Sequence, residues 1–448
     1  MARKLPREIA VEVSQLGSNG FGVAGVAAGL VDGVALEREV HVKNALPGER
    51  VEAKVLKRRR GLWFAEAQSV LASHSPDRVA PACSNFPRCG GCAMQHLHYD
   101  EQILLKQRRL EQALSASGVV PESWAPPRLG PRLHYRTKAR FGVRLVADQV
   151  LVGFRESFSN RVGRMNDCCT LIPAFSDLLP DLKEVLTRIS IPGRIPQIEV
   201  AAGDTRRALL VRHLADFTAK DKASLVEFAE RQDVSLFSQS AGYDSILPMN
   251  RLTDSPYLGY ANHDYGLYFR FLPWDFTQVN LTMNRSLVSS ALLALAAEPG
   301  EVVVDLFCGI GNFSLALAAT GAIVRGLESS AGAVERAEMN ARLNGLQRRC
   351  EFVKLDLYDP ACQSLGEARY LLLDPPRSGA GENLGPWLAS SRPERAVYIS
   401  CDPGSFAKDA ATFKQHGYAL EQVGIYDMFP HTAHVETLGL FVRSSDQN

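Results

Sequence analysis

The run Val302-Val303-Val304-Asp305-Leu306-Phe307-Cys308-Gly309-Ile310-Gly311-Asn312-Phe313 constrains the fold more than any other part of the chain. It reads as a buried strand that empties into a glycine turn and then a helix, and such a turn lets backbone approach a ligand closely. The sequence around it keeps alternating in the same way. Helices are predicted over 285–297, 312–320 and 331–344, and strands over 301–306, 323–328, 351–355, 369–373 and 395–400. Strand and helix in alternation imply an α/β fold with a parallel, doubly wound sheet.

Upstream the texture differs. Residues 7–72 read as five short strands, Ile9–Val13, Gly22–Val26, Glu39–Val42, Val51–Leu56 and Trp63–Val70, a spacing that suggests a small barrel of the OB kind. The run Lys57-Arg58-Arg59-Arg60 falls at the tip of the last hairpin, either as a solvated turn or as a grip on a polyanion. A linker, 73–82, leads to a cysteine cluster, and 100–117 carries apolar residues at helical intervals. From about 125 to 272 the pattern is mostly strand, with helices near 175–188 and 219–231. The expected organisation is therefore 1–72, 73–272 and 273–448, with helix 100–117 able to pack on the last part.

The net charge of +1 averages over unlike regions. Between Arg128 and Arg164 nine Lys or Arg face only Asp148 and Glu156, a bias that favours a phosphate-binding surface over an ordinary solvated face. The amino terminus, MARKLPREIA, leads into no apolar core or cleavage site, and no span of eighteen apolar residues occurs, so a cytoplasmic protein without a membrane segment is expected. Nine cysteines in such a chain point to reduced thiols, metal ligands or catalysis rather than a disulfide framework.

The glycine turn alone is weak evidence for any one ligand. A dinucleotide fingerprint would place Gly or Ala where Ser314 stands, and Asp305 at the strand end suits a ligand with an ammonium group, such as S-adenosylmethionine. The next strand ends in Glu328, seventeen residues after Gly311, where a carboxylate can accept both ribose hydroxyls. The strand after that ends at Asp356, near where an adenine edge would lie. Three surface acids are the alternative, but acids at the carboxyl ends of successive strands mark the ligand crevice of open α/β sheets.

Two further strand ends carry chemistry. Asp374-Pro375-Pro376-Arg377 makes a stiff wall beside the cofactor, and its similarity to an Asn-containing tetrapeptide of amino-group methyltransferases suggests methyl transfer to a nucleobase without fixing the atom. Strand 395–400 delivers Cys401 to the start of a helix, where thiol pKa values are lowered. Carbon 5 of a pyrimidine is a poor nucleophile, and a thiolate added at carbon 6 converts the ring into an enolate that can attack a sulfonium methyl. The adduct then needs a base, and 427–436 offers Asp427, His431, His434 and Glu436. Singly, a cysteine after a strand is usually core and these histidines usually structural; together they change the reading.

The chain resembles the uracil-5 RNA methyltransferase family through Phe276-Thr277-Gln278-Val279-Asn280, the Asp305–Phe313 turn, 374–377, Ser400-Cys401-Asp402-Pro403 and 427–436. The resemblance implies Cys401 as nucleophile and Glu436 as base, with Gln278, Phe307, Asn312, Glu328, Asp356 and Asp374 around S-adenosylmethionine and His434 in support. Asp402 stands where the family usually has Asn. Cys83, Cys89 and Cys92 with the distant Cys168 resemble the 4Fe-4S ligand set of the family's ribosomal branch, zinc being the second choice of metal. The amino-terminal strands resemble a TRAM domain, an RNA-binding barrel of that branch. The implied partner is 23S ribosomal RNA, with no obligate protein partner. A transfer-RNA uridine methyltransferase and a noncatalytic RNA-binding or redox-sensing protein are the rival readings.

Overall fold

The computed structural model of the chain describes residues 8–24, 30–31, 34–35, 39–253, 255–366 and 368–444. The amino-terminal residues 1–7 and the end of the second expected strand, 25–26, lie outside them. The other amino-terminal expectations fall on a six-stranded sheet ordered Glu8–Glu12, Arg50–Arg59, Leu62–Ala72, Val40–Lys43, Gly22–Ala24, Gln15–Leu16. Alternation explains its core: Ile9 and Val11 point inward from Glu8–Glu12 while the flanking residues face water. The long hairpin turns at Arg60 and Gly61, both with positive φ, and leaves the basic tip exposed.

A second six-stranded sheet runs Gln149–Gly153, Lys138–Val146, Gln197–Ala202, Arg207–Arg212, Ser235–Gln239, Ile246–Pro248. Helix Ala219–Arg231 makes its one parallel crossover, from Arg207–Arg212 to Ser235–Gln239. Thr218 and Asp221 start that helix as a reciprocal capping box.

The third sheet has eight strands, in the order Cys350–Lys354, Ile323–Glu328, Val302–Leu306, Tyr370–Leu373, Arg395–Ser400, Glu436–Arg443, Tyr418–Tyr426, Ser123–Trp124. The first five are parallel, as the strand and helix alternation predicts. Beyond these the sheet is mixed, because Glu436–Arg443, a strand not among those expected, pairs antiparallel with both of its neighbours. The segment joining Tyr426 to Glu436 is shorter than the dozen or more residues a parallel crossover needs, so the two strands form a hairpin.

Both faces of this sheet are covered. Helix Leu281–Leu295 contributes Leu287, Val288, Ala291 and Leu295 to one core. Helix Tyr99–Ala116 contributes Ile103, Leu110 and Leu114 to the other, beside Trp387, Phe406 and Phe413. That helix and strand Ser123–Trp124 come from far upstream, yet they complete the sheet that carries Cys401.

Candidate active site

The carboxyl ends of the parallel strands converge. Asp305 is fully buried; its Oδ2 accepts a hydrogen bond from Ser314 Oγ at 2.5 Å, while Oδ1 has no partner. Burial pushes its pKa up to about 7. The turn that follows is left-handed at Phe307, Gly309 and Gly311, with φ of 63°, 55° and 89°. A Cβ added at Gly309 would meet no protein atom within 4 Å, so the turn opens onto free space. Glu328 reaches back across it: Oε2 accepts from the Gly309 N–H at 3.2 Å and Oε1 from the Ser330 N–H at 2.8 Å. Asp356 is exposed and accepts from the Tyr358 N–H, while the Phe307 and Tyr358 rings lie 5.7 Å apart. Gln278 is half-buried. Asn312 differs from the rest, since its amide is exchanged with that of Asn284, 2.9 Å in each direction, and also accepts from Tyr260 Oη.

The reactive pair is set by strand register. Ser400 pairs with Thr437, so Cys401 and Glu436 stand one step beyond, at the adjoining ends of two antiparallel strands. Asp374 follows Leu373 on the neighbouring parallel strand. Burial raises Cys401 to about 11, with the Glu436 charge adding to it and Arg377 opposing it. This corrects the lowered pKa expected from the helix start: desolvation beside a carboxylate outweighs the dipole. Burial also pushes Glu436 up to about 8, Asp374 adding to it and Arg377 opposing, and burial takes Asp374 to about 7. Asp402 caps the helix Pro403–Gln415, its Oδ1 accepting from the N–H groups of Gly404 and Ser405 at 3.0 Å, a role Asn can share.

The other candidates in 427–436 are committed elsewhere. Asp427 accepts from Lys106 Nζ at 2.5 Å and from Tyr99 Oη at 2.6 Å, and the ion pair is buried. His431 is tied to Gln102 of the same helix, and burial lowers its pKa to about 4. His434 lies against Arg377 at 3.2 Å and is lowered to about 4 by desolvation among its neighbours and then by that cation. Lys106→Met leaves the Asp427 carboxylate buried without its cation and is expected to cost about 3–5 kcal/mol of stability. Chemical denaturation measures it; recovery of most of the loss in Lys106→Met/Asp427→Leu locates the cost in the unpaired charge.

Cys83, Cys89, Cys92 and Cys168 all line one cavity of about 120 Å³, walled by Phe86 and Phe154 among others. Cys169 does not line it; its sulfur accepts from Gln95 at 3.6 Å and its thiol is hydrogen-bonded with Cys83. The Gly91 N–H points at Cys89 Sγ from 3.4 Å. Four soft sulfur donors around one cavity, one already receiving an N–H, is a chemistry that fits an iron–sulfur group. Among the described residues no three His, Cys, Asp or Glu side chains are gathered as the grip of a single ion. Of the basic residues in 128–164, Arg136 and Lys138 are half-buried, Arg136 against the cysteine cavity. The other seven are exposed, though Arg140 is ion-paired with Glu199 at 3.0 Å and Arg132 lies over the Tyr99 ring.

Residues 98–357 and 346–444 match the family model described as tRNA (Uracil-5-)-methyltransferase. The chain belongs to that family. Two relatives match nearly end to end. A Hahella chejuensis protein is 41% identical over 454 residues, 99% of each chain, and one from Alkalilimnicola ehrlichii is 42% identical over 452 residues, 99% of this chain and 98% of its own. Both are named 23S rRNA (uracil(1939)-C(5))-methyltransferase RlmD. The crystal structure of Pyrococcus abyssi tRNA (uracil-54, C5)-methyltransferase with S-adenosyl-L-homocysteine superposes with a TM-score of 0.73 at 22% identity, covering 97% of this chain and 100% of that one, and so shares the fold. For a member of this family, sequence reasoning passed over Arg377, the cation felt by both Cys401 and Glu436. Its place directly after Asp374-Pro375-Pro376 was the available signal. Lys106 and Tyr99 were hidden too, because their partner Asp427 lies 321 and 328 residues away.

Proposed function

We propose that this chain transfers the methyl group of S-adenosylmethionine to carbon 5 of a uridine in 23S ribosomal RNA, the position its relatives' names give as 1939. The observation that carries the reading is the adjacency of Cys401 and Glu436 at paired strand ends, beside Asp374 on the cofactor side of the same sheet. Bound S-adenosylmethionine supplies an electrophilic methyl on a sulfonium. Asp305, with its unpartnered Oδ1, suits the ammonium; Glu328 and Asp356 suit ribose and adenine; Gln278, Phe307 and Asp374 complete the wall. Asn312 supports the wall through Asn284 and Tyr260 rather than by a free amide.

The Cys401 thiolate adds to carbon 6 of the uracil, and the ring electrons move onto the carbon 4 oxygen. Carbon 5 then takes the methyl, and S-adenosylhomocysteine leaves. Glu436 removes the proton from carbon 5, the bond from sulfur to carbon 6 breaks, and the thiolate is returned. A stacked base cannot reach Cys401, so the target uridine is flipped or presented in an open loop. Both reacting groups must be deprotonated, with Glu436 at about 8 and Cys401 at about 11 in the free protein. Consequently kcat/KM is expected to rise with pH from 6 to 9. Initial rates at low RNA concentration measure it, and a flat or falling profile would show that ionisation of Cys401 does not limit the addition.

The reading also assigns a 4Fe-4S cluster to Cys83, Cys89, Cys92 and Cys168, supported by their common cavity. The amino-terminal sheet serves as an OB-like TRAM module with its basic hairpin on RNA. The working division is 1–72, 73–272 and 273–448, with residues 99–124 lent to the catalytic sheet. Among the described residues no helix is long and apolar enough to cross a membrane, and the cytoplasm, where ribosomal RNA is found, is the proposed location. Transfer of tritiated methyl to unmodified 23S and transfer RNA decides the substrate. Label in 23S RNA alone is expected; label in transfer RNA alone moves the reading to that substrate, and label in neither points to a noncatalytic RNA-binding protein.

A further inference from the structure

Two lysines are fully buried among the described residues, and the chain treats them differently. Lys106 has Asp427 at 2.5 Å. Lys43, which ends strand Val40–Lys43 of the amino-terminal sheet, is 1% exposed and makes no ion pair among the described residues. Its Nζ donates to the Cys89 carbonyl at 2.8 Å and to Ser157 Oγ at 2.6 Å, and it lies 5.7 Å from the centre of the Phe86 ring. Neither hydrogen-bond partner is charged. Its charged surroundings are Glu66, beside it in the ladder, and the sulfurs of Cys89 and Cys92.

Taking an ammonium out of water costs several kcal/mol unless an opposite charge stands close by. Hydrogen bonds to a carbonyl and a hydroxyl satisfy its protons and leave its charge facing Glu66, with which it makes no ion pair among the described residues. Cys89 and Phe86, which Lys43 touches, line the cavity shared by the four cysteines. Metal ligation deprotonates thiols, and four thiolates bring more negative charge than a bound metal group returns.

We infer that Lys43 is the buried counter-charge of an anionic metal–thiolate group held by Cys83, Cys89, Cys92 and Cys168, and that it sets the reduction potential of that group. The inference rests on the cluster assignment made above. An electron added to the group adds negative charge, which a cation in a low-dielectric interior stabilises, so Lys43 holds the potential up. It also means that a strand of the amino-terminal sheet supplies part of the electrostatic setting of a site otherwise built from the loop and sheet that follow it.

The test uses the full-length chain reconstituted anaerobically with ferrous iron and sulfide, as wild type, Lys43→Met and Lys43→Arg. Iron and sulfide contents are measured first, then the midpoint potential by a redox titration followed by electron paramagnetic resonance. In Lys43→Met the ratio of reduced to oxidised group at the wild-type midpoint should fall at least tenfold, about 59 mV more negative for one electron; Lys43→Arg should stay within threefold of wild type. A Lys43→Met protein that titrates with wild type, or a Lys43→Arg protein shifted as far as Lys43→Met, overturns the assignment and leaves Lys43 as a carbonyl-capping residue. If Lys43→Met folds but takes up no iron while Lys43→Arg loads and titrates normally, the charge requirement is upheld; if neither folded variant loads, it is overturned. A wild-type chain that binds zinc, or no metal, fails at the first measurement and so sinks the cluster assignment, and the potential-setting role with it.

Discussion

With Cys401 replaced by alanine, methyl transfer to unmodified 23S RNA is expected to fall by at least ~10⁴-fold, to the background of the assay. Carbon 5 of uracil gains its nucleophilic character only when a group adds at carbon 6, and no second thiol stands beside Cys401 to take over: Cys308 and Cys362 are buried in the cores, and Cys350 is on an edge strand. The loss should appear in the chemical step. Binding of S-adenosylhomocysteine, followed by calorimetry, should stay within about twofold of wild type, because the glycine turn, Asp305 and Glu328 are on other strands. The resting thiol at about 11 adds a condition. Little thiolate exists before the RNA arrives, so the uracil and Arg377 together must make addition favourable. A Cys401→Ala protein that retained even a hundredth of wild-type turnover would take the nucleophile's role away from this residue.

Glu436→Gln should fail differently. Turnover is expected to fall by ~10²–10⁴-fold, the usual worth of a positioned acid or base, while a covalent protein–RNA complex that survives denaturing electrophoresis accumulates. Addition and methylation come before the proton is removed, so the variant halts with methylated RNA joined to Cys401. In the double variant with Cys401→Ala the complex should vanish. Stability separates this from misfolding. Burial holds Glu436 at about 8, above its ordinary value, so its protonated form favours the folded state, and that contribution is lost as pH rises through 8. Glutamine cannot ionise, so the variant's melting temperature should gain on that of wild type as pH rises from about 4.5 to about 8 and keep that lead above it. Absence of the complex with intact folding would show that Glu436 acts before methylation.

The catalytic half was legible because its signals are local. A strand, a glycine turn and a helix occupy consecutive residues, and the acids at 305, 328 and 374 end strands whose apolar runs can be counted. Strand Glu436–Arg443 was not read from the sequence at all, and its antiparallel pairing depends on loop length and partner rather than on composition. The Cys401 thiol was misjudged for a related reason. Its helix start is visible in the sequence, while the desolvation that dominates it comes from residues brought by other strands. Between Cys168 and Cys169 the sequence offers only family spacing, and of the two it is Cys168 that lines the cavity.

Tyr99 and Asp427 bond across 328 residues, and Ser123–Trp124 closes the edge of a sheet whose last strand ends at Arg443. On a ribosome adding ~5–20 residues per second, helix Tyr99–Ala116 therefore waits roughly tens of seconds for the partner that buries its apolar face. The sheet cannot close until Glu436–Arg443 has emerged, and the chain carries exposed Ile103, Leu110 and Leu114 until then. Its newborn form should depend on chaperones more than its finished form does, and a carboxy-terminal truncation that removes Glu436–Arg443 should aggregate rather than leave a folded remainder.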